Sequence, residues 1–231
     1  MKHSSEINSE GFTIINNVYT ESEIEKLISL IENITDNEID NETFRKNKDL
    51  FAIRQFHKEI PETLPFIFNQ NLKDAIESNF GKGYFITKSN WFVAYHQDLT
   101  ISVNKKIELD GFENWTVKQN QFAVQPPKEI LDDNFTIRIH IDNTTKENGA
   151  LKVISNSHSH GILRIEKLDF ENEKETICEV EKGGIMIMKP LLFHASSKTI
   201  NNERRRVIHI EFSKQQLPEG LEWSEKTILQ N

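Results

Sequence analysis

A single cysteine, Cys178, excludes an internal disulfide and fits a reducing compartment. Long apolar runs are missing as well, and nothing approaches the roughly 18 uninterrupted residues that a membrane-spanning helix needs. The opening MKHSSEINSEGF lacks the apolar centre of a secretion signal, so the expected location is cytoplasmic, with no membrane partner. Positive charge is the minority, 28 Lys and Arg against 36 Asp and Glu, which gives a net charge of −8. Such a chain repels a phosphate backbone, and the short run Arg204–Arg206 is too small a footprint to reverse that, so no nucleic-acid partner is expected. No internal repeat or low-complexity tract is present. What remains is a partner of small-molecule size, with monomer or homodimer left open.

The 231 residues suit one domain with a substantial core, its first part (about 1–83) helical and its core (about 84–213) built of strands. A short extended segment, Gly11 to Val18, precedes a helix that Thr20 caps, with Glu23 completing a capping box. Ile24, Leu27, Ile28, Leu30 and Ile31 form its apolar stripe. The Asn- and Asp-rich stretch 35–48 reads as a solvated loop, and a second helical region runs from about Thr63 to Phe80, ended by Gly81-Lys82-Gly83. Short apolar or alternating runs then follow: Tyr84–Ile86, Trp91–Tyr95, Phe135–Ile141, Ala150–Ile154, Ile177–Val180, Ile185–Met188, Leu191–His194 and Val207–Phe212. Turn signals such as Asn148-Gly149 and Gly183-Gly184 separate them, so a jelly roll, a double-stranded β-helix with flanking helices, is expected. The stretch 101–134 reads as a long irregular insertion near the mouth of a site.

Two His-x-Asp pairs stand out, His96-Gln97-Asp98 and His140-Ile141-Asp142. On an extended strand, residues two apart point the same way, so imidazole and carboxylate converge on one cation. His194, in the apolar run Leu191–His194, offers a third ligand. Two histidines and one carboxylate on one face of iron(II) leave positions open for a bidentate keto acid and for dioxygen. The far carboxylate of a keto acid then needs a guanidinium, which Arg204–Arg206 offers just beyond His194. Spacing alone leaves open which His-x-Asp pair serves. Each piece alone has a plainer reading: a chance pair, a hydrogen-bonded core histidine, a solvated strand end.

Over about residues 10–213 the chain resembles the phytanoyl-CoA dioxygenase family of iron(II)- and 2-oxoglutarate-dependent oxygenases. The segments that carry the resemblance are GFTIINNVYTESEIEKL, NWFVAYHQDLTISV, IHIDNTTKENGALKVISNSHSHG and GGIMIMKPLLFHASSKTINNERRRVIHIEFS. It implies Fe(II), 2-oxoglutarate and O2 as cofactor and co-substrates, His96, Asp98 and His194 as metal ligands, and His140-Asp142 as a lookalike. It also implies Arg205, eleven residues beyond His194, and Ser196 as holders of the keto acid. Arg138 falls where related enzymes place a cofactor-side residue, often Trp, so the chain departs from the pattern there. Thr136, Arg138 and His140 share one strand face, and with that face turned inward Arg138 and His140 line the pocket. Lys88 and Gln125 are candidates for its rim. His209 shares the face of Arg205; His158 and His160 read as surface loop, His3 and His57 carry no signal, Arg54 reads as a surface residue, and Trp91, Tyr95 and Trp115 read as core aromatics. The competing readings are a catalytically silent cupin-like binder and a zinc or manganese isomerase of cupin type. The resemblance names no substrate.

Overall fold

The computed structural model describes residues 2–37, 44–47, 49–53, 55–90, 97–118, 121–169, 171–196, 199–201 and 203–228. In chain order these form α1 (Lys2–Glu10), β1 (Phe12–Ile15), α2 (Glu21–Asn37), β2 (Phe44–Asn47), β3 (Asp49–Ile53), α3 (Phe56–Glu59), α4 (Leu64–Ile67) and α5 (Gln70–Phe80). The strands β4 (Phe85–Asn90), β5 (Ile101–Val103), β6 (Glu113–Lys118) and β7 (Gln121–Gln125) follow, then α6 (Lys128–Asp132) and β8 (Phe135–His140). The remainder is β9 (Leu151–Ile154), β10 (Glu175–Cys178), β11 (Ile185–Met188), β12 (His194–Ser196), β13 (Val207–Ser213) and β14 (Thr227–Ile228).

Local chemistry explains the helix ends. Glu23 N donates to Thr20 Oγ1 at 3.3 Å and Thr20 N donates to Glu23 Oε2 at 2.7 Å, the reciprocal box expected from sequence. The helical region expected from Thr63 to Phe80 is interrupted at Phe68 and Asn69, because the Asn69 side chain accepts from Leu72 N at 2.9 Å and starts α5 afresh. Gly81 ends it at φ 84, a conformation that costs a glycine little. Within the loop expected over 35–48, α2 continues to Asn37 and β2 occupies Phe44–Asn47, paired with β3; residues 38–43 and 48 lie outside the described residues.

One large antiparallel sheet, in the order β1-β11-β8-β13-β4-β14, faces a smaller one, β10-β9-β12. A third sheet, β5-β7-β6, occupies the stretch that the sequence reading left irregular. Together they make the expected mainly β jelly roll. Two strand expectations move: Ile177–Val180 becomes Glu175–Cys178, and Leu191–His194 is a turn whose last residue opens β12; a third, Trp91–Tyr95, lies outside the described residues.

The large sheet has two unlike faces. Ile137, Ile139, Ile185, Ile187, Ile208, Ile210 and Phe212 point toward the helices and pack with Ile24, Leu27, Phe56, Ile67 and Leu72. Each such side chain contributes about 1.5–3 kcal/mol by leaving water. The opposite face turns to the smaller sheet, where Met186 and Met188 meet Leu151, Val153, Cys178 and Val180.

Candidate active site

The inner face is where the site must lie, because the strands put polar side chains there and the fold buries them. Arg138 stands opposite His209 on one side and Met186 on the other, and His140 stands opposite Val207. With Ile137 and Ile139 directed at the helices, Thr136, Arg138 and His140 are directed inward, and Arg138 and His140 are only 4% and 2% exposed. Burying such groups costs free energy unless they are bonded or used.

His194 opens β12 opposite Val153, and Ser196, two residues on, takes the same face opposite Leu151. The His194 Nδ1 lies 2.9 Å from the Leu192 carbonyl oxygen. A carbonyl only accepts, so Nδ1 carries the proton and Nε2 presents its lone pair. That Nε2 lies 4.0 Å from Asp98 Oδ2. Asp98 reaches this spot because its own backbone is stitched to the turn before β12: Asp98 N donates to Pro190 O at 2.8 Å, and the buried Gln97 amide donates to Leu191 O at 2.6 Å and to Gly161 O at 2.9 Å. Metal bonds to imidazole nitrogen and carboxylate oxygen run to about 2.0–2.2 Å each, which puts two donors on one face of a cation about 3 Å apart, so these two would draw somewhat closer on binding one. His96, the expected third ligand, lies outside the described residues, and among the described residues no group of three such side chains gathers around one point.

The other His-x-Asp pair is taken apart by its neighbours. Asp142 accepts from Arg206 Nε at 2.9 Å, from Arg206 Nη2 at 2.8 Å and from Arg206 N at 2.8 Å. Burial alone would raise the Asp142 pKa, but these bonds and the guanidinium charge more than offset it and hold the carboxyl below its ordinary value. Arg206, expected to be solvated, is only 19% exposed. Arg204 is largely exposed, as expected, and reaches Glu32. His140 turns inward instead, its Nδ1 2.7 Å from Thr144 Oγ1.

Arg205 is half-buried, and its Nη1 donates to the Gly149 carbonyl at 2.7 Å. Burial lowers its pKa. Burial, and next the charge of Arg205, push the Arg138 guanidinium down to about 10. Among the described residues neither guanidinium has a carboxylate within ion-pair distance. Lys88, expected at the rim, is part-buried with its side chain 21% exposed, and its Nζ donates to Glu211 Oε1 at 2.6 Å. Gln125 is not gathered into the site; its side-chain oxygen accepts from Asn114 Nδ2 at 2.9 Å at the end of β7.

A protein-family description of this architecture, phytanoyl-CoA dioxygenase, matches residues 7–207. The chain belongs to the phytanoyl-CoA dioxygenase family. It is a non-haem iron(II)- and 2-oxoglutarate-dependent dioxygenase. Among solved structures it is similar to EctD from S. alaskensis, captured with 2-oxoglutarate and 5-hydroxyectoine, at 15% identity over 92% of this chain and 75% of that one, with a TM-score of 0.65. SnoK, a carbocyclase of nogalamycin biosynthesis, is similar at 11% identity over 91% of this chain and 82% of that one (TM-score 0.64). AviO1 from Streptomyces viridochromogenes Tue57 is similar at 16% identity over 94% and 96% (TM-score 0.63). At such identities the likeness shows the fold. No curated protein matches the sequence significantly.

In this dioxygenase the remaining expectations fall as follows. His209 is in the barrel, its Nε2 3.5 Å from Glu211 Oε1. His158 is half-buried rather than a plain surface residue, its Nε2 3.2 Å from the Asn8 carbonyl of α1. His160 is exposed beside Glu173 at 3.7 Å, as expected of a surface loop. Trp115 packs on the cluster of Ile101, Val103 and Val124. Arg54, Trp91 and Tyr95 lie outside the described residues. Sequence reasoning missed a second buried polar cluster at the sheet edge: His57 Nδ1 lies 2.8 Å from Ser89 Oγ and 3.5 Å from Glu225 Oε2, and His57 Nε2 lies 3.0 Å from Thr227 Oγ1.

Proposed function

We propose that His96, Asp98 and His194 hold the iron, that Arg205 and Ser196 hold the far carboxylate of 2-oxoglutarate, and that the enzyme hydroxylates a small molecule in the cytosol. Iron(II) held there would mediate oxygen activation, the electrons that reduce dioxygen coming from oxidative decarboxylation of 2-oxoglutarate and from the substrate carbon. The chain's own residues do the rest. The Leu192 carbonyl fixes the tautomer and the ring plane of His194, as an acceptor on the far ring nitrogen does for metal-binding imidazoles. Pro190 and Gln97 hold the Asp98 backbone against the same turn, so both donors move as one unit. Arg205 is kept extended by the Gly149 carbonyl and retains further N–H groups for a carboxylate. Met186, Met188 and Leu192 line the apolar half of the interior and exclude water from the reacting carbon.

The observation that carries this reading is the 4.0 Å approach of Asp98 Oδ2 to the lone pair of His194 Nε2. Anaerobic addition of Fe(II) and 2-oxoglutarate to the full chain is expected to produce a weak visible charge-transfer band, and the band is expected to be absent from His194→Ala. Admitting oxygen should then convert 2-oxoglutarate to succinate. A protein that shows neither the band nor the conversion is no dioxygenase of this kind, and a silent binder or a zinc isomerase would behave that way.

A further inference from the structure

Among the described residues, Arg138 is the one buried guanidinium for which the assignment above has no use. It stands on the inner face of β8 beside His140 and opposite His209. The pairing of β8 with β13 continues past the strand end, where Ile141 N donates to Arg206 O at 3.0 Å, so Arg205 keeps to the face of Val207 and His209. Two guanidinia and two imidazoles, those of His140 and His209, thus share one small wall. Among the described residues, Arg138 Nε and His140 Nε2 are buried polar atoms with no hydrogen-bond partner, and Arg138 Nη1 lies 3.4 Å from His209 Nδ1. Lys88 provides the contrast: it is a part-buried cation, and Glu211 neutralises it. Desolvation and then the two arginine charges hold His140 well below its ordinary pKa, so it is neutral and compensates nothing. Charges taken out of water without a counter-ion are strongly unfavourable, and a fold tolerates two of them together where an anion arrives to offset them.

We propose that Arg138 and Arg205 form a two-guanidinium clamp on the distal carboxylate of the co-substrate, so that the site selects dicarboxylic over monocarboxylic keto acids. The clamp rests on the co-substrate reading given above. Arg138 also lies within electrostatic reach of both Arg205 and Asp98. A dicarboxylate held at one end by the metal ligands and at the other by Arg205 would therefore lie within reach of the Arg138 charge.

Calorimetric titration of the Mn(II)-loaded full chain with 2-oxoglutarate, glutarate and pyruvate tests this. Glutarate has no keto acid for the metal and reports the carboxylate end; pyruvate has no distal carboxylate. Arg138→Gln is expected to weaken 2-oxoglutarate and glutarate by about 10- to 100-fold, the worth of a hydrogen bond to a charged group, while changing pyruvate affinity by less than about twofold. Arg138→Lys should recover part of the loss. The ligand-free Arg138→Gln protein should melt no lower than wild type, since an uncompensated buried charge has been removed, and this separates lost binding from lost folding. Unchanged 2-oxoglutarate and glutarate affinity in Arg138→Gln, alongside weakened affinity in Arg205→Gln, overturns the clamp and leaves the co-substrate reading intact. Wild-type affinity in both variants, or no binding of 2-oxoglutarate to the wild type, defeats the co-substrate reading and the clamp with it.

Discussion

The two faces of the large sheet are made by alternate residues of the same strands, and they are built for opposite ends. On β8 and β13 the helix-facing set is Ile137, Ile139, Ile208, Ile210 and Phe212, all at 0–1% exposure. The barrel-facing set on the same strands is Thr136, Arg138, His140, His209 and Glu211. One face gains free energy by leaving water; the other gives some up so that charge and lone pairs are available where chemistry is to happen. Stability and activity are thereby assigned to different residues one position apart, and substitutions can separate them.

The largest effect is expected at the donors. Replacing Asp98 or His194 by Ala should lower succinate formation by more than the roughly 10- to 100-fold typical of losing a second-shell partner, with little change in the thermal midpoint. The mirror experiment is Phe212→Ala. Phe212 stacks on Phe135 at 5.0 Å and meets Phe68 edge-on at 6.2 Å. Its truncation should cost about 3–5 kcal/mol in denaturant unfolding while the turnover per folded molecule stays close to wild type. A large activity loss in folded Phe212→Ala, or a large stability loss in His194→Ala, would break the separation of the faces.

A smaller effect tests the lookalike pair. Asp142→Asn takes the paired carboxylate oxygens from Arg206 and leaves it only Glu32, 3.1 Å from Nη1, so about 1–3 kcal/mol of stability should go, measured in urea, with iron-dependent turnover retained. Loss of metal binding in Asp142→Asn would show that the second His-x-Asp pair had been misread as structural.

Much of this division was readable in advance, and what was not has physical causes. The alternation of FTIRIH shows two faces at once, and only the choice of which face turns inward needed coordinates, because apolar and polar sides are both buried here. The capping box at Thr20 and the helix end at Gly81 are local signals, and they held. The α1 segment KHSSEINSE has little helix preference of its own and buries mainly Ile7; it is held by contact with β1 and α5 rather than by a pattern. The third sheet escaped because QFAVQ buries only Val124 and so shows no period of two. Within the candidate site, Asp98 and His194 were legible as residue types. Their approach depends on Gln97 and Pro190 binding across a long stretch of chain, which no local pattern encodes. The cluster of His57, Ser89 and Glu225 has the same origin, partners 32 and 136 residues apart.

That edge cluster is also where the comparison can be pushed to its smallest effect, because its buried titratable groups belong to neither face. Burial pushes Glu225 from 4.5 up to about 7, although Gln121 and the Ser89 backbone pull the other way, and burial pushes His57 from 6.5 down to about 4. The folded protein therefore keeps the Glu225 proton that the unfolded chain has released, and stability falls as pH rises from about 4.5 to about 7. For His57 the unfolded chain holds the extra proton, and stability rises as pH goes from about 4 to about 6.5. Each slope amounts to at most about 3 kcal/mol, and across the shared window they oppose each other, so wild type should show a shallow profile. Glu225→Gln should uncover the rise and His57→Gln the fall, read as thermal midpoints at half-unit pH steps. Parallel profiles for the two variants would mean that the pair titrates as one ion pair and that the edge cluster is held by charge after all.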